Sequence, residues 1–199
     1  MDNVVKEITI KNKKLVIYQD CNGENNPREW DNLGIMVCFH NRYTLGDKVN
    51  ISSDDFSDWS ELKDFIMKEY NTIAILPIFM IDHSGISISV RDFNDGWDSG
   101  QIGYIYTTKE KAKEMGCLDM KEETIKNQLI DEVKTYNQYI NGDLLGYTLL
   151  ELNKCEKCGH IEEEAIDGCG GFFGTDLKEN GILDNLPKEF IAKLEKEGL

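Results

Sequence analysis

The sequence predicts an α+β fold: a mainly antiparallel sheet packed by two or three helices, with a C-terminal cysteine-containing hairpin. Three observations carry that prediction. Short apolar stretches with strand alternation recur along the chain, as where Ile86, Ile88 and Val90 alternate with Ser87, Ser89 and Arg91. A few longer segments instead place apolar residues three and four apart, the spacing of one helix face. Tight turn formers such as His83-Ser84-Gly85, rather than long crossovers, separate several neighbouring strands, which favours antiparallel pairing. No internal repeat or low-complexity linker divides the 199 residues, so a single domain over 1–199 is expected, with the hairpin at 153–170 as an appendage.

Taken in order, residues 4–10 and 15–18 read as strands flanking a turn at Lys11-Asn12-Lys13-Lys14. The stretch 20–27 is made of turn formers and reads as a loop, and 36–40 as a buried strand. Asp58 with Glu61 three residues on is a capping arrangement that satisfies orphan amide donors, so a helix starts there. Trp59, Leu62, Phe65 and Ile66 form its core face. The most apolar segment, 72–82, is the expected central strand; Pro77 removes one ladder donor and requires a bulge or an edge position. Strands follow at 86–90 and 101–107, then a short helix from about 108 that Gly116 stops. The longest helix is expected over 119–141, with Ile125, Leu129, Val133, Tyr136 and Ile140 as its apolar stripe. Strands at 144–152 and 161–167 flank a cysteine cluster, and 186–197 reads as a terminal amphipathic helix.

Composition narrows the function classes. A net charge of −15 disfavours sequence-independent nucleic-acid binding and anionic membrane surfaces, and favours basic partners. The 22 basic residues interrupt the acidic field, which argues against literal DNA mimicry. No basic and then apolar leader opens the sequence, and the longest apolar run, 73–81, is short of the roughly 20 residues a membrane span needs. The expected location is the cytoplasm, where six cysteines read as free thiols or metal ligands rather than disulfides.

Cys155-Glu156-Lys157-Cys158-Gly159-His160 has the spacing at which two thiolates point at one tetrahedral Zn²⁺, and Gly159 lets the backbone turn beneath it. His160 and Cys169 are the expected remaining ligands of a structural zinc. Unliganded thiols on a hairpin and a redox pair are the competing readings, the second weakened because no helix N-terminus follows Cys155. Cys21, Cys38 and Cys117 are scattered and read as buried small hydrophobes. The run Asp92-Phe93-Asn94-Asp95-Gly96-Trp97-Asp98 looks like a calcium loop only superficially, since its twelfth position is Gly103 where a bidentate glutamate is required.

Two constellations remain. His40, His83 and Asp98 form a candidate catalytic or metal centre, although strand alternation turns His83 and Ser84 to opposite faces. Arg28, Trp30, Asp31, Trp97 and Asp98 are the candidate partner-binding residues: Arg28 can hold a carboxylate bidentately, such as Glu29, Asp31 or Asp98, and tryptophan offers a flat contact surface.

Pro27-Arg28-Glu29-Trp30-Asp31-Asn32-Leu33-Gly34, followed by Met36, Cys38, His40 and Tyr43-Thr44-Leu45-Gly46-Asp47, resembles the opening block of a family of small proteins encoded by bacteriophages and mobile elements. His83-Ser84-Gly85-Ile86-Ser87-Ile88-Ser89 and the segment from Trp97 to Tyr106 resemble its second block, and Gly168-Cys169-Gly170-Gly171-Phe172-Phe173-Gly174 a third. The resemblance spans about 15–176 and implies a context rather than a reaction. The expectation is a non-enzymatic, acidic accessory protein in the host cytoplasm that binds a host protein with a basic surface, of the anti-CRISPR or anti-restriction type. It binds neither nucleic acid directly nor membranes. The alternatives are a small metal-dependent or His/Asp hydrolase centred on His40, His83 and Asp98, and a structural or regulatory factor with a zinc knuckle.

Overall fold

The computed structural model describes residues 3–21, 26–96 and 98–198. In chain order the first half contributes β1 (Val4–Ile10), β2 (Lys13–Gln19), β3 (Ile35–Cys38), α1 (Trp59–Glu69), β4 (Thr72–Asp82) and β5 (Ile86–Ser89). The second half contributes β6 (Ser99–Thr108), α2 (Lys109–Glu114), α3 (Glu122–Ile140), β7 (Leu144–Lys154), β8 (Ile161–Phe173) and α4 (Lys188–Lys196). The fold is α+β with antiparallel strand pairing throughout. Where the sequence suggested one sheet, there are two of four strands each, ordered β1-β2-β7-β8 and β3-β6-β4-β5. They belong to two compact units, one built from the residues before 26 with those after 141, the other from 26–141.

The 26–141 unit is layered, with helices on both faces of its sheet. Ile125, Leu129, Val133 and Tyr136, the stripe anticipated on α3, are all buried against Met36, Ile78, Met80, Ile102 and Ile105. On the opposite face Leu62 and Ile66 of α1 pack on Val37, Tyr104 and Tyr106. Ile102 and Tyr104 would share a face in a regular strand. They do not, because the register between β4 and β6 shifts from Ile78↔Gly103 to Phe79↔Gln101, and the extra residue turns Ile102 over. Pro77 is tolerated within the central β4 because β5 covers only Phe79 to Asp82. At Pro77 the strand is locally an edge, so the missing N–H breaks no ladder bond on that side.

The α1 cap forms as read: Asp58 Oδ1 accepts from the Glu61 N–H at 2.9 Å, and Glu61 Oε2 accepts in return from the Ser57 N–H at 2.7 Å. The long helix starts three residues later than expected, at Glu122, and no side chain caps it.

In the other unit, Ile8, Leu15, Ile17, Leu145, Tyr147 and Leu149 from one sheet face bury Phe190 and Leu194 of α4. The turn between β1 and β2 is tighter than expected, with Ile10 already paired to Lys13 and Lys11 at φ 55°. Strand β8 is longer than expected. It runs through the glycine-rich third block to Phe173, taking up register shifts opposite Tyr147 and Leu150. No helix among the described residues is long and apolar enough to cross a membrane.

Candidate functional site

The Pro27–Glu29 turn that precedes β3 carries Arg28, whose side chain is only 3% exposed. Its Nε and Nη2 donate to Asp47 Oδ1 and Oδ2 at 2.9 and 2.8 Å, a bidentate fork; Nη1 donates to Glu132 Oε2 at 3.0 Å and Nη2 also to the Gly34 carbonyl at 2.7 Å. The carboxylates are held in turn. Glu132 Oε1 accepts from the Leu33 and Gly34 N–H groups at 2.7 and 3.1 Å, and Asp47 Oδ2 from the Met36 N–H at 2.8 Å. Burial pulls the Arg28 pKa down, but Asp47 and Glu132 more than reverse this and leave it above the ordinary arginine value. Arg28 is therefore no partner-binding residue, and its partners are Asp47 and Glu132 instead of Glu29, Asp31 or Asp98. A guanidinium this enclosed can only fasten the chain to itself.

Two residues on, Trp30 is 48% exposed and lines a cleft of about 310 Å³. Asp31, Met115, Gln128, Asp131 and Glu132 line it too. Gln128 is a lining residue as well, and its Oε1 is a buried acceptor with no hydrogen-bond partner among the described residues. Met115, Leu118 and Met120, in and around the turn between α2 and α3, are exposed apolar side chains close in sequence to this wall. The cleft therefore pairs apolar surface with carboxylates, and neither lysine nor arginine is among the residues that line it.

The third constellation lies at the other end of β3. His83 Nδ1 and Asp98 Oδ2 stand 3.1 Å apart, at 72% and 50% side-chain exposure. Asp98 and His40 both line a cleft of about 300 Å³ with Arg42, Asp82, Ser99 and Gln101. Arg42 is ion-paired with Asp82, and the Tyr43 hydroxyl donates to Asp82 at 3.5 Å. The His40 ring stacks on Tyr43 at 5.2 Å, and its Nδ1 accepts from the Arg42 N–H at 3.3 Å. His83 is bonded to Asp98 but does not line that cleft. The described members of the candidate partner-binding set thus fall at the two ends of β3. Trp30 and Asp31 precede β3, Asp98 sits where β6 begins beyond the far end of β3, and Trp97 lies outside the described residues. At the start of the Asp92-to-Asp98 run, Asp92 Oδ1 accepts from the Asn94 N–H at 3.0 Å, a local turn of the kind expected there.

The cysteines divide in the same way. Cys155 and Cys158 sit together at the tip joining β7 to β8. The Cys155 thiol is held below its ordinary pKa by the Cys158 N–H, the Cys158 thiol and the Lys157 N–H. Cys169 pairs with Tyr147, eight residues along β8 from Ile161 at the tip, or roughly 26 Å at the rise of a strand. It cannot share a metal with Cys155 and Cys158. His160 is at the tip, but among the described residues no three His, Cys, Asp or Glu side chains gather as a metal-binding group. Of the scattered thiols, Cys117 is buried as expected and Cys38 is pushed up to about 12 by burial, with Asp47 adding to the shift. Cys21 is exposed.

No family model, curated protein or solved structure matches this chain. Its function therefore has to be argued from the clefts and the tip themselves. Sequence reading found Trp30 and Asp31 but missed Gln128 and Asp131, which sit off the apolar stripe of α3 and carry no signal until the helix is docked.

Proposed function

We propose that this chain is a non-enzymatic, acidic accessory protein of the kind encoded by bacteriophages and mobile elements, which binds a basic segment of a host protein in the Trp30 cleft. The observation that carries this reading is the chemistry of that cleft. An exposed indole and Met115 line it together with the carboxylates of Asp31 and Asp131. Both carboxylates accept hydrogen bonds and attract positive charge. A lysine or arginine side chain suits this lining, its aliphatic stem against the indole and its head toward the carboxylates. The net charge of −15 would steer such a partner inward. Interference with a host defence enzyme, which commonly exposes basic grooves for nucleic acid, is the role this chemistry fits.

The test is retention of a host protein on the immobilised chain, read by quantitative elution with salt. Trp30→Ala should weaken a bound partner by about 30-fold, the effect of losing a central aromatic contact worth about 2 kcal/mol. Asp31→Asn combined with Asp131→Asn should reduce the salt dependence. A partner held equally well by all variants would refute the cleft as the binding site.

The 3.1 Å approach of His83 to Asp98 favours a second reading, hydrolysis, because a carboxylate orienting an imidazole is the supporting half of a general base. The pair is exposed, so His83→Ala should change stability by less than about 1 kcal/mol. If the same variant abolishes biological activity while host-protein binding persists, the hydrolase reading displaces the first.

A further inference from the structure

We infer that the tip of the β7–β8 hairpin is half of a zinc site, completed by the same tip of a second copy of this chain, so that four thiolates from Cys155 and Cys158 of two chains share one Zn²⁺. The geometry begins with the turn. Lys154 and Ile161 are the last ladder pair; beyond them the Cys155 N–H donates to the His160 carbonyl at 2.8 Å and the Gly159 N–H to the Cys155 carbonyl at 2.8 Å. Gly159 holds φ +73°, a left-handed conformation that a side chain would oppose. The winding therefore holds both cysteines within the one turn between β7 and β8, at the spacing that lets two thiolates reach a single tetrahedral metal.

Two ligands do not complete a structural zinc site, which takes four in a tetrahedron. Cys169 is held far down β8 by its pairing with Tyr147, and no third ligating side chain gathers at the tip among the described residues. The tip is nevertheless well placed to meet a copy of itself. The β2–β7 pairing ends at Lys13↔Glu151, so Asn153, Lys154 and the turn extend past β2 and pair with β8 alone among the described strands. Cys155, Cys158 and His160 are exposed, and Ile161 is an exposed apolar side chain at the base of the turn. Two such tips meeting about a two-fold axis give an isologous contact with the metal on the axis. Binding releases the thiol protons to solvent and leaves a centre of charge −2.

The proposal is independent of the Trp30 cleft. It is tested by titrating the reduced, metal-free chain with Co²⁺ and Zn²⁺ under anaerobic conditions, following the Co²⁺ spectrum and the mass by analytical ultracentrifugation. The expected result is saturation at about half an equivalent of metal per chain, with tetrathiolate absorption and a doubling of mass that a chelator reverses. Cys155→Ser with Cys158→Ser should abolish metal binding and dimerisation together, while Cys169→Ser leaves both intact. Saturation at one metal per chain without a mass change would overturn the proposal. So would failure to bind metal, or a dimer that survives both chelator and the double substitution.

Discussion

Arg28→Ala is expected to lower the stability of the 26–141 unit by about 3–5 kcal/mol, the cost of breaking a buried ion pair from one side. The guanidinium is 3% exposed and lies between two carboxylates, Asp47 and Glu132, that come from opposite ends of the unit's sequence. Removing it leaves both carboxylates in place, facing one another without a cation and still too enclosed for water to replace it fully. The Leu33, Gly34 and Met36 N–H groups continue to hold them there, so they cannot simply swing into solvent. Arg28→Lys keeps the charge but cannot reproduce the fork on Asp47 together with the bonds to Glu132 and the Gly34 carbonyl, so its loss should be intermediate. All three tryptophans, Trp30, Trp59 and Trp97, fall within 26–141, so urea unfolding followed by tryptophan fluorescence reports on this unit. A midpoint for Arg28→Ala equivalent to less than about 1 kcal/mol of destabilisation would show that the network adds little to stability.

The Arg28 network also marks where sequence reading stops. The capping pair at Asp58 and Glu61 and the α3 stripe from Ile125 to Tyr136 were legible because their partners lie within one or two turns of the same helix. Arg28 itself was conspicuous, but which of the nearby acids it bonds is a matter of tertiary docking. The answer, Glu132, stands 104 residues away on a helix face that periodicity only labels as polar. The division into two sheets was hidden for the same reason. Strand β7 pairs with β2, across the whole intervening unit, and no local pattern names so distant a neighbour. The length of β8 was missed because Gly168, Gly170 and Gly171 are poor strand formers, and only pairing with β7 keeps that stretch extended. At the cysteine tip, spacing put Cys155 and Cys158 in one turn, and both lie between β7 and β8. The return of β8 was read as bringing Cys169 back to them, whereas an extended strand carries it steadily away.

Gly103→Ala should be more damaging than any surface change in the chain, with an expected loss of more than about 4 kcal/mol or failure to accumulate folded protein. The segment from Trp97 to Tyr106 contains two glycines that look equivalent in sequence, Gly100 and Gly103, yet the structure treats them in opposite ways. A Cβ on Gly103 would overlap the Val37 carbonyl oxygen and lie 2.9 Å from the Cys38 Cα, both backbone atoms of β3. Backbone cannot rotate aside as a side chain can, so β3 and β6 would have to separate. That strand pair closes one side of the sheet: Val37 is fully buried beneath α1, and Met36 is fully buried toward α3. Both helix layers would therefore lose packing from one methyl group. Gly103 also pairs with Ile78 beside the Ile102 bulge, so a shift of β6 away from β3 would carry into β4. Gly100 is the control. Nothing lies within 4 Å of the Cβ it would gain, and its backbone is not left-handed, so Gly100→Ala should stay within about 0.5 kcal/mol of the parent. Comparable unfolding midpoints for the two variants would mean that β3 and β6 do not approach as closely as this register requires. A large gap between them would establish that β3 and β6 approach as closely as this register requires, in the unit that carries the Trp30 cleft.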